Sequence, residues 1–275
     1  MHPLLRTALK GLHRTAGRML PPRLLARSYP GVPHRVHVDD LMLRSDSPEQ
    51  LRIYLDGGLC AVRNIEESLA AAGRTFGDLA ACLDLPCGYG RVMRHLSTRI
   101  TPARLTACDA DRQAVRFCAS EFGARPLFCH RDPQRTAFPE PYDLIFVGSL
   151  LTHLPEAESV TLLEVLVGIL KPRGVLVFTT QGESCLENLA WYGGEFAAAE
   201  ATYREAVRDR GVCFVPYRVK RVASKQSPAD LTYGITIQSH PYVESVMSRF
   251  RQVTLRRFRE RGWERHQDVW AYQRE

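Results

Sequence analysis

Apolar and polar residues alternate in blocks along the middle of the chain, in an order that predicts strands and helices following one another. Short apolar runs fall at 80–85, 105–109, 127–130, 142–148 and 175–180. Amphipathic stretches with helical spacing separate them, at 91–96, 112–122 and 156–170. Strands that alternate with such helices indicate parallel β-α-β units. The pattern therefore predicts an α/β fold with a doubly wound, mostly parallel sheet that is covered on both faces.

The segments on either side of this region have other patterns. Ser47, followed by a proline at the first helical position, predicts a helix that runs to Ala72 with an interruption at Gly57-Gly58. After Gln181 the predicted elements are strands at 212–217 and 233–238, a helix at 241–250, and β-like runs at 253–258 and 268–272. We expect one domain, 36–275. It would consist of an N-terminal helical cap (36–78), a ligand-binding core (79–181), an inserted lid (182–240) and a last helix with a strand hairpin (241–275).

The net charge of +7 comes from residues 1–35, a basic arm with seven basic residues and no acid. The rest of the chain carries 30 basic and 30 acidic residues, so its overall charge does not argue for a nucleic-acid partner. Leucines in the arm follow helical spacing, which fits a solvated or loosely docked helix, or weak contact with an anionic membrane surface. A late arginine cluster at 249–265 fits a solvated strand and loop, and it leaves a weak alternative of nucleic-acid contact that is otherwise unsupported.

Composition sets further limits. With 275 residues and 45% hydrophobic content, the chain can bury the core of one large domain. No run approaches the roughly 18 apolar residues of a transmembrane helix, and the first thirty residues lack the apolar segment of a secretory signal. The eight cysteines form no CxxC pair and no Cys/His cluster with zinc spacing. We therefore expect no metal and a reducing, cytoplasmic location.

The stretch Leu83-Asp-Leu-Pro-Cys-Gly-Tyr-Gly-Arg-Val92 places two glycines directly after the first predicted strand of the core. In an open α/β sheet, ligands bind beyond the carboxyl ends of the strands, at the switch point beside the first strand. Gly88 and Gly90 would allow unusual torsions and let a ligand lie against the backbone without a Cβ clash. The N–H groups at the start of the following helix suit a carboxylate or phosphate. This turn therefore predicts a ligand site.

Asp109 ends the next predicted strand, about 20 residues past the turn. A carboxylate there can accept hydrogen bonds from ribose hydroxyls, so it suits an adenosine-containing ligand. The alternative is an ordinary helix cap, a role open to Asp109 or to Asp111. A dinucleotide fingerprint would need glycine or alanine where Met93 stands, which counts against an NAD-dependent enzyme.

Four stretches, in the right order over residues 80–181, resemble the motifs of class I S-adenosylmethionine-dependent methyltransferases. Residues 83–91 look like the first motif, although Pro86 stands where the family usually has its first glycine. The stretch 107–109 resembles the second motif, 141–154 is similar to the fourth-strand motif and the hinge after it, and 170–180 resembles the stretch through the fifth strand. The resemblance implies a seven-stranded, Rossmann-like methyltransferase fold, S-adenosyl-L-methionine as cofactor, and methyl transfer as the activity.

The resemblance also implies roles for single residues. Gly88 and Gly90 would lie against the methionine part of the cofactor, and Asp84 would order the turn and meet the amino group, directly or through water. Asp109 would hold the ribose hydroxyls. Asp132 matches the family's acidic residue near the adenine amino group, although a proline and a longer loop follow it.

His153 follows the fourth predicted strand and would face the methyl acceptor, where it could take a proton from a hydroxyl or amine. The alternative is a histidine packed or solvated at a helix start, just as Ser149 and Thr152 fit helix caps. The expected acceptor is an oxygen or nitrogen of a small or mid-sized molecule. The second reading is a methyltransferase-like module that binds a nucleoside or a protein partner without turnover.

Overall fold

The computed structural model describes residues 18–19, 28–45, 47–130, 132–217 and 233–275. Most of the predicted basic arm lies outside the described residues. In the described part, the strands are β1 (Arg18–Met19), β2 (Arg35–Val36), β3 (Cys82–Asp84), β4 (Leu105–Asp109), β5 (Arg125–Phe128), β6 (Tyr142–Val147), β7 (Leu170–Thr180), β8 (Val212–Pro216), β9 (Gly234–Gln238), β10 (Val253–Trp263) and β11 (Gln267–Arg274). The helices are α1 (Pro48–Ala71), α2 (Met93–Leu96), α3 (Arg112–Phe122), α4 (Glu156–Gly168), α5 (Gly194–Ala198), α6 (Glu200–Arg210) and α7 (His240–Met247).

Seven of these strands form one sheet, in the order β10-β11-β7-β6-β3-β4-β5. The neighbours among β3 to β7 pair in parallel. β11 runs antiparallel to β7, and β10 runs antiparallel to β11, so β11 alone points against the others. The chain leaves β3 towards β4 and β5 and then returns to β6 on the other side, which places the switch point beside β3. The predicted doubly wound, mostly parallel sheet is confirmed.

Helices cover both faces of the sheet because alternate side chains of each strand point to opposite sides. Cys82 and Leu144 pack on one side, with the apolar residues of α1 and α3. Leu83 and Ile145, the next residue in each strand, pack on the other side with α4 and α7. This two-sided burial explains why the strands of the core are apolar runs and do not alternate with polar residues.

One local prediction was wrong at the glycine pair of α1. The helix continues without a break through Gly57-Gly58, where the sequence predicts an interruption. A Cβ on Gly57 would overlap the Arg91 guanidinium, and a Cβ on Gly58 would overlap the Arg91 carbonyl oxygen. The two glycines therefore let α1 approach the loop after β3 closely, which is a tertiary requirement that no local pattern reveals.

The boundary between α4 and β7 also differs from the prediction. α4 ends at Gly168 and β7 begins at Leu170, whereas the pattern predicts a helix to Leu170 and a strand only from Val175. Leu170 pairs with Tyr142, and after an irregularity Val175 pairs with Leu144. Pairing with β6 thus makes Leu170 part of a strand, although the local sequence favours the end of a helix there.

Residues 182–240, the predicted lid, contain the 3-10 stretch Glu183–Trp191, α5, α6 and the antiparallel pair of β8 and β9. They have an apolar cluster of their own, which includes Phe196, Tyr203 and Ile235. The lid contacts the edge of the sheet where the parallel strands end, since the Gly234 N–H donates to the carbonyl of His153 at 3.2 Å. The predicted domain boundaries themselves stay predictions.

Residues 28–45 lie against α1 and α2 through a buried arginine. The Arg94 side chain is fully buried and donates to the carbonyl oxygen of Pro33 at 2.8 Å and to the Tyr54 hydroxyl at 3.2 Å. Tyr54 in turn donates to the Asp40 carboxylate at 2.7 Å. The segment is therefore held by a buried polar chain, and its apolar side chains pack on Tyr54 and its neighbours.

The arginines of β10 are largely engaged with acids. Arg257 and Arg259 both contact the Glu67 carboxylate, and Arg256 lies 3.3 Å from Glu275. All eight cysteines are free. In the part of the chain that the structure describes, no helix is long and apolar enough to cross a membrane, and no group of three or more His, Cys, Asp or Glu side chains could hold a metal ion.

Candidate active site

The loop after β3 turns sharply at the carboxyl edge of the sheet, at the predicted glycine turn. Gly88 and Gly90 have φ values of +47° and +81°, a region that residues with a side chain rarely adopt. A Cβ on Gly90 would overlap the Phe122 ring of α3, whereas a Cβ on Gly88 would meet nothing within 4 Å. Gly90 is therefore required for packing, while Gly88 leaves open space beside the backbone where a ligand can lie.

Asp109 connects this loop to the end of β4. Its Oδ2 accepts the Gly88 N–H at 2.9 Å, and its Oδ1 accepts the Asp111 N–H at 2.9 Å. Burial raises the pKa of Asp109, and the N–H donors of Asp111 and Gly88 partly offset that effect. Asp111, and not Asp109, caps α3, because its carboxylate accepts the Gln113 N–H at 2.8 Å. Asp109 is thus left as a carboxylate that faces the loop.

Asp84, the last residue of β3, is buried with one oxygen unsatisfied. Asp84 is 3% exposed, and among the described residues its Oδ2 has no hydrogen-bond partner. Burial raises the pKa of Asp84 well above its ordinary value, and the charge of Asp109 adds to that effect. A buried carboxylate without a donor is costly, so such a group in a native fold points to a missing partner.

A cleft opens beside Asp109, at the carboxyl ends of β4, β5 and β6. Its walls come from the loops after these strands, from α4 and from the lid, and most of them are apolar. They include Ala110, Pro133, Phe138, Leu150 and Tyr233. Apolar walls with a few polar groups are typical of a site for a small ligand.

Asp132 lies at the outer side of the loop after β5. Its carboxylate is exposed and accepts the Gln134 N–H at 3.0 Å, so it caps the 3-10 turn Pro133–Arg135. Its neighbours His130 and Pro133 line the cleft, but Asp132 does not belong to that lining. The structure thus brings Asp84, the glycines and Asp109 together and places Asp132 at the periphery.

His153 lies between the loop after β6 and the lid. Its Nδ1 is 2.9 Å from the Gly234 carbonyl oxygen and 3.3 Å from the Tyr217 hydroxyl. Since a carbonyl can only accept, Nδ1 carries the proton and the lone pair of the neutral ring is on Nε2. Burial lowers the pKa of His153 below its ordinary value, so the ring is neutral at physiological pH. A neutral imidazole is the form that can accept a proton.

The sequence did not predict a network of polar side chains at the end of β6. Ser149 has a φ of +59°, and its N–H donates to Thr179 Oγ1 at 2.9 Å. Gln267 Nε2 donates to Ser149 Oγ at 2.7 Å, and the Thr179 hydroxyl donates to Gln267 Oε1 at 2.7 Å. The network joins the ends of β6 and β7 to the start of β11. No local signal could reveal it, because Ser149 and Gln267 are 118 residues apart.

A second missed feature is the cover that residues 28–45 provide over the glycine loop. The His37 ring stacks on Tyr89, between the two glycines, with ring centroids 4.4 Å apart and an interplanar angle of 15°. The Tyr89 hydroxyl lies 3.3 Å from Asp111 Oδ2. Burial lowers the pKa of His37, so a neutral ring faces Tyr89. The segment therefore lies over the loop that holds Gly88 and Gly90.

The matched family agrees with this geometry. Residues 82–174 match the family model described as "Methyltransferase domain". That range contains the glycine loop, Asp84, Asp109, His153 and most of the cleft. No curated protein matches the sequence.

Several solved structures have a similar fold at low sequence identity. A S-adenosylmethionine-dependent methyltransferase from Clostridium acetobutylicum is 12% identical, with a TM-score of 0.51 over 77% of this chain and 89% of that one. An amino pentose methyltransferase from Micromonospora echinaspora is 14% identical, with a TM-score of 0.51 over 81% and 92%. Magnesium protoporphyrin IX methyltransferase from Synechocystis PCC 6803 is 12% identical, with a TM-score of 0.52 over 82% and 87%.

The strand order, the single antiparallel strand and the loop after β3 define a Rossmann-like methyltransferase fold. Residues 82–174 thus match a methyltransferase domain, and the fold around them is the one that S-adenosylmethionine-dependent methyltransferases share. The resemblance that the sequence motifs indicate is thereby confirmed.

Proposed function

We propose that this chain transfers a methyl group from S-adenosylmethionine to an oxygen or nitrogen of a small or mid-sized molecule. The observation that carries the proposal is the unpartnered, buried Asp84 carboxylate beside the glycine loop, inside the matched methyltransferase domain. The cofactor supplies an activated methyl group on a positively charged sulfur. The protein must therefore align the two reactants, exclude water and, for some acceptors, remove a proton.

The residues at the carboxyl edge of the sheet fit this cofactor. Asp84 Oδ2 would accept a hydrogen bond from the amino group, which supplies the donor and the positive charge that the buried carboxylate lacks. The open face of Gly88 would receive the methionine part. Asp109 can hold ribose hydroxyls while keeping its two backbone donors, because each carboxylate oxygen accepts two hydrogen bonds. The apolar cleft beside it would take the adenine ring.

The acceptor side is built by the lid and the loop after β6. We propose His153 as the base that takes a proton from the acceptor, because its ring is neutral and its Nδ1–H is fixed by the lid. The partly exposed Ser149 hydroxyl, held by Gln267, would orient the acceptor. A lid with a core of its own, packed on this edge, favours a small molecule over a nucleic acid as acceptor. The eight free cysteines favour a cytoplasmic location.

Calorimetric titration with S-adenosylhomocysteine tests the cofactor assignment. Asp84→Asn and Asp109→Ala should each weaken binding about tenfold or more, since each removes a charge-assisted hydrogen bond. Asp209→Asn, an exposed change on α6, is the matched control and should bind like the wild type. A wild type that does not bind this ligand, or equal affinities in all four proteins, would contradict the proposal.

Turnover separates the enzyme from a binding module. The wild type should convert S-adenosylmethionine to S-adenosylhomocysteine with members of a panel of hydroxylated and amino compounds. Tight cofactor binding without product on any such acceptor would favour a module that binds a nucleoside ligand or a protein partner.

A further inference from the structure

The cleft beside Asp109 contains an acid that none of the family motifs includes. Leu154, Glu158 and Leu162 follow one another at intervals of four residues and line the cleft along one face of α4 and the turn before it. Glu158 is half-buried between the two leucines. Among the described residues, no hydrogen bond or ion pair engages its carboxylate. The cleft therefore presents one acceptor group without a donor, on a wall that is otherwise apolar.

Two other acceptor atoms at this end of the cleft, in Thr136 and His130, already accept hydrogen bonds. The Thr136 hydroxyl oxygen accepts the His130 N–H at 2.9 Å, and His130 Nδ1 accepts the Asp132 N–H at 3.0 Å. Asp132 is exposed and caps its own turn. The next residue, Pro133, has no N–H to offer a ligand. These acceptor atoms of the loop after β5 are thus engaged within the loop itself.

We propose that Glu158 recognises the exocyclic amino group of the adenine ring. The inference rests on the proposed function, because it assumes that the cleft beside Asp109 holds the adenosine part of the cofactor. Asp109 would hold the sugar, and α4, which packs against the 3-10 turn of the loop after β5, forms another part of the cleft lining. An amino group carries two hydrogens, and a carboxylate accepts without donating. Glu158 thereby selects a 6-amino purine over a 6-oxo purine, which presents an acceptor at the same place.

The ratio of the affinities for the 6-amino and the 6-oxo purine is the measurement that a purely structural role of Glu158 would not change. Glu158 also lies in the first turn of α4, where any acid favours the helix dipole. Loss of that effect would lower stability and weaken both ligands equally. Loss of an amino-group contact changes the ratio of their affinities, because a site built to hydrogen-bond a group rejects the analogue that lacks it.

The experiment is calorimetric titration of the wild type, Glu158→Gln and Asp132→Asn with S-adenosylhomocysteine and S-inosylhomocysteine. We expect the wild type to prefer the adenosyl ligand, and Glu158→Gln to reduce that preference by about tenfold or more, because the amide can donate to the 6-oxo group. Asp132→Asn, the matched control from the loop after β5, should keep the wild-type ratio. Glu158→Ala should also lose the preference, which guards against a folding defect specific to glutamine.

Two results would overturn the inference: an unchanged ratio in Glu158→Gln and Glu158→Ala, or a reduced ratio in Asp132→Asn alone. Absence of binding of either ligand by the wild type is a different failure, since it would remove the proposed function itself.

Discussion

At the scale of single residues, the site combines open backbone with buried charge. Gly88 and Gly90 share the left-handed conformation, yet only Gly90 is packed against another side chain. Asp84 is buried and Asp109 is half-buried, and burial raises the pKa of both. The charge of Asp109 adds to the cost of ionising Asp84, which a positively charged ligand would offset. Each of these four residues therefore contributes differently to stability and to ligand binding. Substitutions can separate the two contributions.

Alanine substitutions at the two glycines should have opposite profiles. Gly90→Ala should lower the free energy of unfolding by about 2–4 kcal/mol, because it adds overlap with Phe122 to left-handed strain. Gly88→Ala should cost only about 1 kcal/mol of strain but should weaken S-adenosylhomocysteine at least about tenfold, because its Cβ enters the open face. Chemical denaturation and calorimetry measure the two effects. Equal loss of stability in both variants would contradict this distinction.

His153 is tested by a substitution that keeps its hydrogen bond. Asparagine can place an amide N–H near the position of Nδ1 and still donate to the Gly234 carbonyl, but it cannot accept a proton. If His153 is the base, His153→Asn and His153→Ala should both lower kcat, by about 100-fold or more, with unchanged cofactor affinity. Retained activity in His153→Asn alone would assign the residue a structural role.

The pH profile of the wild type gives a second check on His153. Burial lowers its pKa, and the neutral form is the one that acts as a base. The rate should therefore rise with pH through a pKa below 6.5 and be flat above neutrality. The His153 variants should lack this rise in steady-state kinetics.

At the scale of elements, one buried carboxylate joins three of them at the end of the sheet away from the site. Asp143 Oδ2 in β6 accepts the N–H groups of Ala80 and Ala81 at 2.9 Å each, just before β3. The same carboxylate binds Lys171 of β7 at 2.8 Å and Arg74 after α1 at 3.3 Å. Burial opposes its ionisation, but Lys171 and the backbone donors outweigh burial and lower the pKa of Asp143.

Asp143→Asn should lower the free energy of unfolding by about 3 kcal/mol at pH 7, because it leaves the partly buried Lys171 and Arg74 without their carboxylate partner. Since the folded pKa is lowered, the stabilisation is present above the unfolded value and is lost as pH falls through the folded pKa. The wild-type advantage should therefore shrink below about pH 4 in urea denaturation. Cofactor affinity should be unchanged, because Asp143 lies at the opposite end of the strands.

The matched control is an exposed ion pair. Glu200→Gln breaks the pair with Arg204 on α6, where both side chains are about half exposed. Its effect should be within about 0.5 kcal/mol. A similar loss in Glu200→Gln and Asp143→Asn would mean that burial has no part in the effect.

At the scale of the whole molecule, distant segments meet around the glycine loop. Trp263 at the end of β10 donates to the Gly57 carbonyl of α1 at 2.9 Å, and Glu264 pairs with Arg91 of the loop. From the other direction, Arg94 holds residues 28–45 in place. The loop is therefore enclosed by contributions from both ends of the described chain.

Arg94→Met should release residues 28–45 from this arrangement. It removes the donors of the Pro33 and Arg35 carbonyls and of Tyr54 from a fully buried place, at a cost of about 3 kcal/mol. Lower thermal stability and faster chymotrypsin cleavage within 28–45 should follow. Arg99→Met, an exposed change shortly after α2, should alter neither measurement. Unchanged cleavage in Arg94→Met would show that other contacts suffice.

The sequence by itself determined the class of fold and the position of the glycine loop. Period and composition indicate parallel strands with covering helices, because apolar burial on both sides of a sheet leaves a continuous hydrophobic run. Gly88, Gly90 and Asp109 follow from local chain geometry at strand ends, which nearby residues specify. The same local pattern predicted a helix at 112–122, and α3 spans Arg112–Phe122.

Only the tertiary structure decided what depends on residues far apart in sequence. It kept α1 continuous through Gly57-Gly58, joined Ser149 to Gln267, and placed Glu158, not Asp132, on the wall of the cleft. These features depend on which surfaces pack together after the sheet has formed. A local sequence pattern does not show contacts between residues that are far apart in the chain. Burial and hydrogen-bond partners are set by that packing, and with them the protonation and exposure of the groups that would do the chemistry.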